Sequence, residues 1–214
     1  MRGYISATEG NFSIRLGENS VLTTKTGTCK GRIRSEELVL TDISGNSLSD
    51  LRPSTELKMH LLAYKMRPDI RAVVHAHPTV AVGFTVAGVS LSKCVLPEVV
   101  CGLGNIPVAP YATPSTDEVP ESIAPFLCDH DAILLDHHGA LCLGADIFDA
   151  FYKLETVEHF AQTMLVAHML GGPKLLYASQ VEKLLSICGT YGLKVPVYSE
   201  KLLSPAFSRP DGEQ

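Results

Sequence analysis

The stretch Ala72-Val73-Val74-His75-Ala76-His77-Pro78 is an apolar run that ends in two histidines spaced two apart. The β-branched pair Val73 and Val74 predicts a strand, and side chains on a strand alternate between faces, so His75 and His77 point the same way. Two converging imidazoles are either a hydrogen-bonded structural pair or two ligands of one metal ion, since neutral imidazole is a common zinc ligand. The metal reading needs further donors from elsewhere in the chain.

Upstream of this run, PSTELKMHLLAYKMRPD places Leu57, Leu61, Leu62 and Met66 at helical spacing. A helix from near Ser54 to just before Pro68 follows, with Ser54 or Thr55 as its cap behind Pro53. Earlier still, FSIRL, SVLTT and LVLTD read as short strands joined by turns rich in Gly, Asn and Asp. Downstream, IPVAPYAT (Ile106 to Thr113) leads to VPESIAPFL, read as a helix, and then to the strand AILLD. The longest helical pattern runs from about Asp146 to Leu170, with Phe148, Phe151, Leu154, Val157, Phe160, Met164 and Leu165 on one broad face. Strands and helices therefore mix throughout, which predicts one α/β domain built on a single sheet over residues 1–200, followed by a flexible tail at 201–214.

The chain has 214 residues, 45% of them hydrophobic, enough for one sizeable core. A formal net charge of -5 and scattered Lys and Arg argue against a nucleic-acid partner. No apolar run approaches the roughly 20 residues needed to span a bilayer. The opening MRGYISATEG lacks the layout of a signal peptide, so the expected location is the cytoplasm. The six cysteines (Cys29, Cys94, Cys101, Cys128, Cys142 and Cys188) are widely spaced and contain no C-x-x-C, and they read as buried free thiols.

After AILLD the chain reads Asp136-His137-His138-Gly139-Ala140, a good place for a third ligand at a strand end beside a glycine. Adjacent strand residues face opposite ways, so only one of His137 and His138 is expected to join His75 and His77. Glu56 falls in the first turn of the predicted helix, where a carboxylate is favoured either as a cap or as an oxygen ligand. His60, His159 and His168 fall on helices and His130 in a polar turn, positions that read as solvated or satisfied by packing.

The ordered motifs EGNFSIRL, TKTG, PSTELKMH, AVVHAHP, APYATPST, LLDHHGAL and TYGLK resemble the class II aldolase and adducin head family from about Gly10 to Tyr191. The resemblance implies a central, mainly antiparallel sheet flanked by helices in three layers. It implies a divalent metal, usually zinc (otherwise Mn2+ or Co2+), held by His75, His77 and His138, with Glu56 as a ligand of the resting metal and the base during turnover. It further implies a phosphate pocket at Asn11, Thr26, Gly27, Ser54 and Thr55, a catalytic tyrosine at Tyr191, and a homotetramer with sites at subunit interfaces. Lys25 could add a positive charge to that pocket. The activity implied is cleavage of a phosphorylated ketose to dihydroxyacetone phosphate and an aldehyde through a metal-stabilised enediolate. Relatives with the same metal site act instead as epimerases, dehydratases or decarboxylases.

Two departures stand out. Where the aldolases carry a proton-donating tyrosine contributed by a neighbouring subunit, this chain reads CVLPEVVCGLGN, whose ionisable carboxylate is Glu98. Family members also have a full helix before the Gly-Asn loop, where only MRGYISAT stands here. A non-catalytic adducin-like head would have the fold without the metal ligands, and a structural zinc protein would be expected to use thiolates.

Overall fold

The computed structural model describes residues 3–193, 195–197 and 199–212, with Tyr191 defined by its backbone alone. In chain order the elements are strands β1 (Asn11–Arg15), β2 (Ser20–Thr24) and β3 (Leu38–Asp42), helix α1 (Leu57–Met66), strand β4 (Ala72–Ala76), helices α2 (Thr79–Val86) and α3 (Pro97–Gly102), strand β5 (Val108–Ala109), helix α4 (Glu118–Leu127), strands β6 (Ala132–Leu135) and β7 (Gly139–Gly144), and helices α5 (Ile147–Met169), α6 (Ala178–Ile187) and α7 (Ser199–Leu202). The seven strands form one sheet in the order β3-β2-β1-β4-β7-β6-β5. Every neighbouring pair is antiparallel except β5 with β6.

Residue parity shows the three layers. Ala72, Val74, Ala76, Leu134 and Cys142 face a core that includes Phe84 of α2, Val99 of α3 and Leu154, Val157 and Phe160 of α5. Val73, Ile133, Leu141 and Leu143 face the opposite way, against Met59 and Tyr64 of α1 and Ile123 and Leu127 of α4. Helices covering both faces explain why β4, β6 and β7 are buried along their whole length and read as continuous apolar runs.

Several expectations need correction. Neither Ser54 nor Thr55 caps α1: Ser54 Oγ accepts from the Glu56 amide at 3.3 Å, and Thr55 Oγ1 meets Ser115 Oγ at 2.7 Å. A turn closed by the Leu57 amide on the Ser54 carbonyl starts α1 later, which leaves Glu56 at its cap position with no capping bond from its side chain. The broad face of α5 is narrower than its pattern: Leu154, Val157, Phe160 and Met164 are buried, whereas Phe148, in the first turn, and Leu165, one position round the helix from Met164, are exposed.

The cysteines also divide. Cys94 and Cys142 are buried thiols, Cys29 and Cys128 are exposed, and Cys101 is bonded to Cys188. That disulfide joins partners 87 residues apart because α3 packs on α6, a contact that no local spacing encodes. In the stretch expected to be a flexible tail, Leu202 and Ser208 are buried. The Phe207 carbonyl accepts from the Cys94 amide at 2.8 Å, and the Arg209 amide donates to the Leu176 carbonyl at 2.7 Å.

Candidate metal centre

His75 belongs to the odd-numbered face of β4, the face toward α1, and β1 pairs with β4 so that Asn11 lies opposite it. Gly10, with φ +69, permits the close approach just before this pair: a Cβ there would stand 2.8 Å from the His75 carbonyl oxygen. His77 lies one residue beyond β4. His138 sits in the turn between β6 and β7, not on a strand, so strand alternation is not what separates it from His137. The left-handed backbone of His137, φ 55, turns the chain there.

The three rings of His75, His77 and His138 stand 4.8–4.9 Å apart, centroid to centroid, in edge-to-face arrangements. One nitrogen from each lies within 4.8 Å of the other two, a cluster that could hold a metal ion. Gly139 is needed at this point, because a Cβ would come within 2.8 Å of His75 Cε1 and 2.9 Å of His77 Cδ2.

The hydrogen bonds argue for a cation at the centre. His75 Nδ1 lies 3.0 Å from the Ala140 carbonyl, which can only accept, so that nitrogen carries the proton. His77 Nδ1 lies 3.4 Å from Glu9 Oε2, which likewise favours a proton there. The two Nε2 atoms then meet at 3.0 Å with lone pairs facing each other, an arrangement that a bound cation would turn from repulsion into ligation. Burial pushes the His75 imidazole down to about 3, and burial together with neighbouring His138 lowers His77, so both are neutral donors near pH 7.

Glu56 enters from the start of α1. Its Oε1 lies 3.2 Å from His138 Nε2 and its Oε2 lies 3.5 Å from His75 Nε2, while Asn11 Nδ2 donates to Oε2 at 2.7 Å. Burial acts to raise this carboxyl, but the His138 hydrogen bond, the charges of His75 and His138, and the Asn11 amide outweigh it and hold the group at about 2. Glu56 is therefore an anion beside three imidazoles, a donor set that fits a divalent cation.

The remaining candidates divide. The loops holding Thr26, Gly27, Ser54 and Thr55 are neighbours, since the Thr26 amide donates to the Arg52 carbonyl and the Ser54 amide to the Thr24 carbonyl. Thr26, Gly27 and Thr55 are exposed and Ser54 is half-buried, while Asn11 is buried and directed at Glu56. Lys25 is half-buried and Glu98 exposed. Tyr191 ends a short 3-10 turn, Cys188–Tyr191, and its side chain lies outside the described residues.

The sequence reading missed Glu9, whose carboxylate orients His77, and the role of Asn11 as a partner of Glu56. It also missed Lys30, which donates to the Thr8 carbonyl and interacts electrostatically with Glu56. A carboxylate before the Gly-Asn pair was the available signal for Glu9; nothing local pointed to Lys30. His137 is exposed and turned onto Asp136, with its Nδ1 2.8 Å from Asp136 Oδ1. His60 is buried with its Nδ1 2.8 Å from Ser13 Oγ, whereas its Nε2 is buried without a hydrogen-bond partner, so packing satisfies one of its two ring nitrogens.

Known proteins are similar to this chain in sequence and in fold. A 3-oxo-tetronate 4-phosphate decarboxylase of Haemophilus influenzae is 32% identical over 185 residues, covering 85% of this chain and 87% of the relative. An L-fuculose phosphate aldolase of Methanococcus maripaludis is 34% identical over 169 residues, covering 79% and 91%. Among solved structures, an L-fuculose 1-phosphate aldolase superposes with a TM-score of 0.79 at 28% identity, covering 89% of both chains. YgbL of Escherichia coli superposes with a TM-score of 0.78 at 30% identity, covering 86% of this chain and 90% of that one. Residues 1–165 match the family described as Class II Aldolase and Adducin N-terminal domain, and with the seven-stranded sheet this places the chain in that family.

Proposed function

We propose that the chain is a zinc-dependent lyase that breaks a carbon-carbon bond beside the carbonyl of a phosphorylated sugar or sugar acid and yields dihydroxyacetone phosphate. The observation that carries this is the convergence of His75, His77 and His138 on one point with the Glu56 carboxylate 3.2 Å from His138 Nε2. Zinc bound there would supply a Lewis acid for the hydroxyl and carbonyl oxygens next to the bond that breaks. The same residues favour an enzyme over an adducin-like head, which needs no such cluster.

Either cleavage leaves an enediolate that must take up a proton on carbon. Glu56 is the group suited to deliver it, held in place by the Asn11 amide. The exposed hydroxyls and amides at Thr26, Gly27, Ser54 and Thr55 would bind the phosphate at the rim. Asn11, which the resemblance assigns to that pocket, instead serves Glu56 in this reading.

Between the two cleavages we favour decarboxylation. A retro-aldol step must also move the hydroxyl proton of the departing aldehyde, and the segment that carries the aldolases' tyrosine reads Leu96-Pro97-Glu98 here. Loss of carbon dioxide requires no proton transfer at the leaving fragment. It consumes one proton at the carbon left behind, drawn from water through Glu56. Retro-aldol cleavage of a ketose 1-phosphate is the second reading, supported by the 34% identical aldolase. Assembly as a homotetramer belongs to the same proposal and rests on the resemblance alone; a cytoplasmic location is proposed with it, and among the described residues no helix is long and apolar enough to cross a membrane.

The test is to incubate zinc-loaded protein with 3-oxo-tetronate 4-phosphate and, separately, with L-fuculose 1-phosphate, measuring dihydroxyacetone phosphate and carbon dioxide. Equal amounts of both products from the acid alone would support decarboxylation. Dihydroxyacetone phosphate from the ketose without carbon dioxide would replace it with the aldolase reading, and no product from either would overturn both.

A further inference from the structure

Helix α2 follows directly after His77-Pro78, and its N-terminal amides have no cap from their own segment: Pro78 occupies the cap position and supplies no side-chain hydrogen bond. The missing acceptor comes from α5. Glu158 Oε1 accepts from the Val80 amide at 3.1 Å and Glu158 Oε2 from the Ala81 amide at 3.0 Å, while Gln162 Nε2 donates to Glu158 Oε1 at 3.3 Å. Glu158 is 4% exposed, a buried carboxylate whose charge faces the positive end of a helix.

The other end of α2 reaches the second ligand-bearing segment. Thr85, also buried, donates its hydroxyl to the Val82 carbonyl at 2.8 Å and accepts the His137 amide at 3.2 Å. His137 is the residue whose left-handed backbone turns the chain into His138, a conformation that a side-chain-bearing residue keeps only where its surroundings hold it. One short helix thus connects the His-x-His segment to the His138 turn. Two buried side chains fasten it, and neither points at the three imidazoles.

We propose that Glu158 and Thr85 are positioning residues for the metal centre: through α2 they hold His77 and His138 at the separation that a single metal ion requires. This rests on the metal reading above. The carboxylate fixes α2 against α5, and with it the direction in which the chain leaves His77. The Thr85 hydroxyl fixes the His137 amide, and with it the turn that presents His138. Without either anchor the sheet would keep its register, but the imidazole triangle would be set by loosely held segments. Outer partners of this kind typically change metal affinity by about 10–100-fold.

The experiment compares the wild-type chain with Thr85→Val, Thr85→Ser and Glu158→Gln. Zinc affinity is read by competition with a chromophoric chelator, coordination geometry by the visible spectrum after Co2+ loading, and folding by the melting transition of the metal-free chains. Thr85→Val keeps the volume and loses the acceptor; it should weaken zinc binding about tenfold or more and alter the Co2+ bands, and Thr85→Ser should restore both. Glu158→Gln should act in the same direction; should it fail to fold, the Thr85 pair decides. Unchanged zinc affinity and Co2+ spectrum in folded Thr85→Val and Glu158→Gln would overturn the positioning role while leaving the metal centre standing. A wild-type chain that takes up neither Zn2+ nor Co2+ would overturn the metal reading and this role with it.

Discussion

The centre of the site and its rim are built differently. At the centre, His75 and Glu56 are buried or nearly so, and each meets a fixed partner: the Ala140 carbonyl for His75, the Asn11 amide for Glu56. Those partners come from the register of β1, β4 and β7, which places Asn11 opposite His75 and Ala76 opposite Ala140. At the rim, Thr26, Gly27 and Thr55 are exposed on loops that touch mainly through backbone bonds. The difference teaches a division of labour. The sheet pre-organises the groups proposed to bind metal and move a proton, which need near-fixed geometry, whereas the proposed phosphate rim can be ordered by the substrate that fills it.

Four substitutions can break or sharpen this contrast. The largest effect belongs to His77→Ala, which removes one of three imidazoles; zinc affinity should fall by more than the about 10–100-fold typical of outer partners, with the fold retained. Equilibrium dialysis and a thermal melt check both halves. Glu56→Gln should keep zinc bound yet lower turnover by about 10²–10⁴-fold, the range for a group that transfers a proton; full turnover in this variant would remove Glu56 from the chemistry. Asn11→Ala leaves Glu56 without its amide partner and should lower kcat by about 10–100-fold with KM little changed. Had Asn11 served the phosphate pocket instead, KM would rise and kcat would hold. The smallest change is expected from Thr26→Ala at the rim, where loss of one hydrogen bond to a charged phosphate, about 1.5 kcal/mol, should raise KM about tenfold with kcat unchanged. A loss of kcat there would mean that the rim is as fixed as the centre.

Much of the frame was legible because its elements are local in sequence, short apolar runs for the buried strands and a helical period for the long helix. AVVHAHP and AILLD are apolar runs and the stretch from Asp146 to Leu170 has a helical period, and the structure has β4, β6 and α5 in those places, with Asp146 Oδ1 capping α5 by accepting the Asp149 amide at 2.9 Å. Helix α2 was not legible: TVAVGFTV is apolar on almost every side and shows no stripe. Strand β7, GALCLG, hides behind a glycine at each end, one of which is required by the histidine rings it faces.

The site shows the same split. His75 and His77 could be paired from strand alternation, but the choice of His138 over His137 came from family resemblance, since a turn with a left-handed residue has no two-residue period to read. Glu9, Lys30, Glu158 and the Cys101–Cys188 pairing all depend on contacts between segments distant in the chain. No local pattern encodes them.

The central claim is that three imidazoles form one metal centre, and the most direct test is the metal content of the purified protein after zinc loading and removal of loosely bound ions. The account predicts about one zinc per chain in the wild type and essentially none in His77→Ala. Zinc bound equally by both chains, or by neither, would contradict it.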